Sequence, residues 1–73
     1  MSEVAVIGRP SEVAGFALAG ARVLPARTEA EAEAAWAGLT DAVSIVVLTA
    51  ETARVLAEQR RRPQAPLTVV MPS

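Results

Sequence analysis

The chain has 73 residues, no cysteine, no histidine and a net charge of −1; that length makes one domain with a thin core, burying about 60% of the surface its unfolded chain exposes. The missing residue types exclude disulfides, thiol chemistry, zinc sites and histidine-based triads, and the charge balance leaves no broad basic face for nucleic acid. All seven cations are arginine, which also removes Schiff bases and the phosphate-loop lysine.

The composition is 52% hydrophobic, which argues against disorder, though much of it is alanine, a residue that buries little area. Val4–Ile7 (VAVI) is a continuous apolar run, as expected for a strand buried on both faces. Ser11 can cap a helix that runs to about Ala19, with Glu12 in its first turn and Gly20 as its stop. Arg22–Leu24 is a weaker strand, and Pro25 suits an edge position.

Thr28-Glu29-Ala30-Glu31 has the capping-box form. The helix it opens should run to about Leu39, with Ala32, Ala35, Trp36 and Leu39 inside and Glu29 and Glu33 outside. Ser44–Leu48 (SIVVL) is the most strand-like run and should be central. Thr49 can cap a third helix over about Ala50–Arg61, buried through Thr52, Val55, Leu56 and the Gln59 stem, with Arg54 and Glu58 as an i,i+4 pair. Pro63 and Pro66 end it, and Leu67–Val70 is a fourth strand suited to an edge. The order β-α-β-α-β-α-β predicts an α/β fold. Its four-stranded parallel sheet should have right-handed crossovers and the receiver or flavodoxin-like order 2-1-3-4.

Ligands of such sheets bind beyond the carboxyl ends of the strands, where this sequence places Gly8, Arg9, Pro10, Thr49, Ala50, Glu51, Met71 and Pro72. Gly8–Gly20 lacks the spacing of a dinucleotide fingerprint and the lysine of a phosphate loop. A phospho-acceptor site needs carboxylates clustered at the strand ends to hold Mg²⁺. The one aspartate, Asp41, precedes the third strand and sits at the wrong end. Glu29, Glu31 and Glu33 fit a solvated capping turn, and Arg60, Arg61 and Arg62 fit a helix C-terminus. No cofactor, metal or catalytic residue is expected. Gly15 inside a helix costs about 1 kcal/mol against alanine, which points to close backbone approach. Val13–Ala19 carries no charge on any side, which suggests a helix covered by another protein.

These residues carry a resemblance. Ile7, Gly8, Pro10, Gly15, Phe16, Leu18, Ala19 and Gly20 match a strand, an I-G-D-P turn and a G-F-x-L-A-G helix. The chain resembles the F subunit of the V-type and archaeal-type rotary ATPases and ATP synthases. Thr49 and Glu51 in VVLTAETARVL approximate that family's second strand-to-helix block, and PLTVVMPS its closing strand. The resemblance covers the whole chain and departs at three places. Arg9 stands where members often have an acidic residue, and Ala17 where many have a charged one. Members continue past the fourth strand into a C-terminal helix, whereas the sequence here ends at Ser73, so no regulatory role of that helix is carried over.

The resemblance implies a receiver-like fold without the phosphorylation site, and a non-catalytic central-stalk subunit on the cytoplasmic side of a membrane complex. Its implied partner is the coiled-coil D subunit. The contact candidates are Gly15, Phe16, Leu18 and Ala19, followed by Arg54, Arg61 and Arg62. The alternative is a stand-alone receiver-like interaction module. The sequence shows no basic N-terminal region before a long apolar run and no stretch near the roughly 18 apolar residues of a membrane span, so a cytoplasmic location is expected.

Overall fold

The computed structural model describes residues 3–72. Met1, Ser2 and Ser73, the last of the closing segment quoted above, lie outside the described residues. The elements are β1 (Glu3–Gly8), α1 (Pro10–Val13), a 3-10 helix (Ala14–Ala19), β2 (Arg22–Pro25), α2 (Glu29–Ala37), β3 (Val43–Leu48), α3 (Ala50–Val55), α4 (Ala57–Arg60) and β4 (Leu67–Val70). All strand pairs are parallel and the order is β2-β1-β3-β4, as expected from the alternation. The two most apolar strands are therefore the central ones.

This order divides the helices between the faces. The chain moves from β1 to β2 in one direction across the sheet, then from β2 to β3 and on to β4 in the other. Right-handed crossovers put α1 and the 3-10 helix on one face, and α2, α3 and α4 on the opposite one. On the second face Ala5, Ile7, Val46 and Leu48 pack with Ala32, Ala53 and Leu56, and with half-buried Leu24, Ala35, Trp36, Leu39 and Val55. Val6 and Val13 are fully buried on the other face, where α1 meets β1.

Both threonine caps form. Thr28 Oγ1 accepts from the Glu31 amide at 3.1 Å, and Thr49 Oγ1 from the Thr52 amide at 3.2 Å. Glu31 closes its box one residue early, accepting the Arg27 amide at 2.8 Å. The first helix differs from expectation. Ser11 lies inside α1 and caps nothing; Arg9 takes the N-cap position without a side-chain bond, and Pro10 fills the first turn. Proline needs no partner for an amide there, and its fixed φ suits the position. After Val13 the chain tightens into the 3-10 helix, where few side chains are buried to hold an α-helix in place. Gly20 ends it at φ 86°, with its own amide on the Ala17 carbonyl and the Ala21 amide on the Phe16 carbonyl. That is the Schellman pattern, which glycine adopts without Cβ strain.

The third helix also divides. Fully buried Leu56 sits at φ −97° and ψ 16° between α3 and α4. The Ala53 carbonyl at this break accepts from Arg60 Nη1 at 3.4 Å, while Arg60 Nε donates to Thr68 Oγ1 of β4 at 3.2 Å. Arg60 thus straps α4 to the edge strand. The expected Arg54–Glu58 pair is replaced by Glu58 with Arg61 at 3.0 Å, because the break turns α4 away from the regular i,i+4 spacing.

Within the chain the glycine of close approach is Gly8, not Gly15. A Cβ on Gly8 would lie 2.5 Å from Thr49 Cγ2 and 3.0 Å from Val13 Cγ1, whereas one on Gly15 would meet nothing within 4 Å. Gly8→Ala should therefore destabilise by about 1–3 kcal/mol through overpacking. Gly15→Ala should be neutral or stabilise by up to about 1 kcal/mol. Urea midpoints at unchanged slope would separate the two.

Candidate functional site

The carboxyl ends of β1 and β3 bring Gly8, Arg9, Thr49 and Glu51 together. Gly8 has no Cβ, so Thr49 packs against its backbone. Thr49 and Thr52 are buried, and Thr49 Oγ1 donates to Thr52 Oγ1 at 2.8 Å. The two hydroxyls are engaged with each other and with the helix-start amide, so they serve the cap. Arg9 Nε donates to Glu51 Oε1 at 3.0 Å and Nη2 to Oε2 at 3.5 Å, in a pair that is more than half exposed. The Arg9 guanidinium pKa is raised, first by the hydrogen bond to Glu51 and then by Coulomb attraction to it. A raised value keeps Arg9 cationic, and its contribution is lost only as pH rises through that elevated value. Arg9, the departure from the acidic residue common in the resembled family, is thus matched to Glu51.

Beside this pair lies an open cleft of about 600 Å³, whose lining includes Arg27, Glu29, Thr52 and Arg54. Both signs of charge meet there. Asp41 sits in the turn before β3, at the opposite end of the sheet from Arg9 and Glu51.

The structure separates the sequence-predicted contact residues into two groups. Gly15, Leu18 and Ala19 are exposed on the 3-10 helix, with Leu18 94% accessible, and Phe16 is half-buried. Arg54, Arg61 and Arg62 are exposed on or just after α3 and α4, on the other face. They do not cluster. Arg54 borders the cleft at the strand carboxyl ends, Arg61 a hollow beside Thr68, and Arg62 a third hollow with Trp36 and Asp41. The third hollow also contains Gln59, whose Oε1 is buried without a hydrogen-bond partner. Sequence reasoning missed the exposed apolar residues of β4, Leu67, Val69 and Val70. Their signal was present: a strand without one charged residue, flanked by prolines.

The scaffold is an α/β sheet of order 2-1-3-4 with an uncharged, exposed 3-10 helix after its first strand. The family model of the ATP synthase (F/14-kDa) subunit matches residues 4–73 of this chain. The chain belongs to that family. No curated protein matches the chain. Membership makes it a subunit of a V/A-type rotary ATP synthase and favours that reading over the stand-alone module. Among the described residues, no helix is long and apolar enough to cross a membrane.

Two substitutions check the roles assigned at the strand ends. Thr49→Ala removes an N-cap and should cost about 1 kcal/mol, lowering the melting temperature by roughly 4–8 °C. Arg9→Ala breaks an exposed ion pair. Its smaller effect should vanish at about 1 M salt, where the Debye length falls to roughly 3 Å. Thermal scans at two ionic strengths provide the comparison.

Proposed function

We propose that this chain is a non-catalytic central-stalk subunit of a proton- or sodium-translocating V/A-type ATPase or ATP synthase. It docks on the coiled-coil D subunit, on the cytoplasmic side of the complex, and helps transmit torque between membrane rotor and catalytic head. The observation that carries the reading is the 3-10 helix. Within a family of ATP synthase subunits, it presents Gly15, Leu18 and Ala19 to solvent without one charge. An exposed apolar patch of this kind is a protein-contact signal.

The mechanism is mechanical. Torque passes through a body that does not deform, and packed interiors have low compressibility. Here the central strands β1 and β3 pair along their length, and Ile7, Val46, Leu48 and Leu56 are fully buried. Docking such a body on a coiled coil stiffens the rod at the point of contact. Phe16, Leu18 and Ala19 are the contacts this helix offers. Gly15 keeps the ridge low enough for close approach. Arg54, Arg61 and Arg62 lie on the other layer and would face a different neighbour in the assembly.

Co-expression of the chain with the D subunit should yield a complex of fixed stoichiometry on size exclusion, and the isolated chain should hydrolyse no ATP. Leu18→Asp should leave the circular dichroism spectrum unchanged and weaken the complex. Phe16→Ala should weaken it too, at some cost in folding. A folded chain that ignores the D subunit would overturn the reading.

A further inference from the structure

The two faces of the sheet are covered unequally. On the face that carries α1, Val6 is fully buried, yet Val4 is 39% exposed, Val69 48% and Leu67 67%. Ile45 and Val47 are half-buried. The register aligns these residues across the strands: Val4 with Ile45, Ile45 with Leu67, and Val47 with Val69. They form a floor without a charged side chain. Phe16 and Ala19 rise beside it as a wall and, with Val4 and Val47 of the floor and with Glu3 and Arg22, line a groove of about 590 Å³. At one end of the groove Glu3 and Arg22 lie 3.9 Å apart and answer each other's charge.

The dimensions select an occupant. Parallel sheets are buried on both faces, usually by helices. The bare floor spans β3 and β4, and strands lie about 4.8 Å apart, so it is about 10 Å wide. One α-helix with its side chains is about 10–12 Å across. The four residues of β4 span about 13 Å, the length of about nine helical residues.

A strand added to the β4 edge is a poor alternative. Met71 donates to the Leu48 carbonyl at 2.8 Å, so by alternation Thr68, Val70 and Pro72 point their main-chain groups outward. Pro72 has no amide to donate, and Pro66 precedes the strand, which leaves too short an edge for a ladder.

We propose that the bare β3–β4 face seats one helix of the coiled-coil partner, lying along the strands against the 3-10 helix. The proposal rests on the stalk-subunit reading above and names the surface that reading uses. The partner helix would present an apolar stripe, free of charge over about nine residues. Leu67 and Val69 would meet its centre, and Leu18 its flank.

The test pairs wild-type chain with the L67K/V69K double variant, each co-expressed with the D subunit, and measures affinity by titration of purified components. Lysine is well tolerated on edge strands, so the variant should keep its fold by circular dichroism. The expected result is wild-type binding and at least tenfold weaker binding by the variant. Equal affinity would overturn the proposed seat and leave the stalk reading standing. Failure of the wild type to bind the D subunit would overturn both. If the isolated wild type is a dimer by light scattering and the variant a monomer, a second copy occupies the face and the proposal falls. Should the variant lose its fold, methyl NMR of the wild-type complex decides. Val4, Ile45, Val47 and Val69 resonances must shift on binding, and unchanged resonances would overturn the seat.

Discussion

The contact between Gly8 and Thr49 sets the geometry on which the rest of the molecule depends. It lies where β1 and β3, the two central strands, end side by side. Thr49 packs onto the bare Cα of Gly8, bonds Thr52 and starts α3. The Thr49 amide reaches back to the Ile7 carbonyl at 3.4 Å, and the Ala26 amide to the Gly8 carbonyl at 2.8 Å. Three strand ends are thereby tied within a few residues. Loops leaving β1 and β3 are held there, and Arg9 and Glu51 meet as a consequence.

This frame produces an uneven molecule. The face bearing α2, α3 and α4 closes over Ile7, Leu48 and Leu56, and Trp36 supplements a core rich in alanine. The face bearing α1 has one four-residue helix and a 3-10 helix to cover four strands. Short helices of this kind bury little, and among the strands α1 packs chiefly on β1 and β2. Strands β3 and β4 are left with apolar side chains directed into the groove or solvent. The asymmetry comes from the chain itself: the alanines and glycine of Ala14–Ala19 are too small to spread across the sheet.

Much of this fold was legible in the sequence. Continuous valine and isoleucine runs marked the strands, Thr28 and Thr49 marked two helix starts, and Gly20 marked a stop. Alternation with short connections then left few topologies. The helix interiors were less legible, because their breaks depend on tertiary contacts. Nothing local announces the break at Leu56, which comes from burying that side chain and bringing Arg60 onto Thr68. Close approach was misplaced onto Gly15 for a related reason. Sequence shows which position lacks a Cβ, but not which neighbour will arrive. Gly15 has the unusual setting and Gly8 the close neighbour. The exposed apolar surface was partly legible. The uncharged helix stood out, whereas the uncharged strand, already read as an edge, gave no sign of which of its side chains would stay exposed.

The same thinness that leaves a face bare also links folding to assembly. A domain of this size recovers little hydrophobic free energy beyond its conformational entropy. A ligand that binds only the folded state adds stability by mass action, about 2.7 kcal/mol at a hundredfold excess over its dissociation constant. For a chain whose core is built from valine and alanine, that is a large share of the total. A partner covering Leu18, Leu67 and Val69 would shield exposed apolar side chains that favour aggregation and support the edge strand β4, which pairs with β3 alone. On the docking proposed above, the bare face is the surface that assembly would cover.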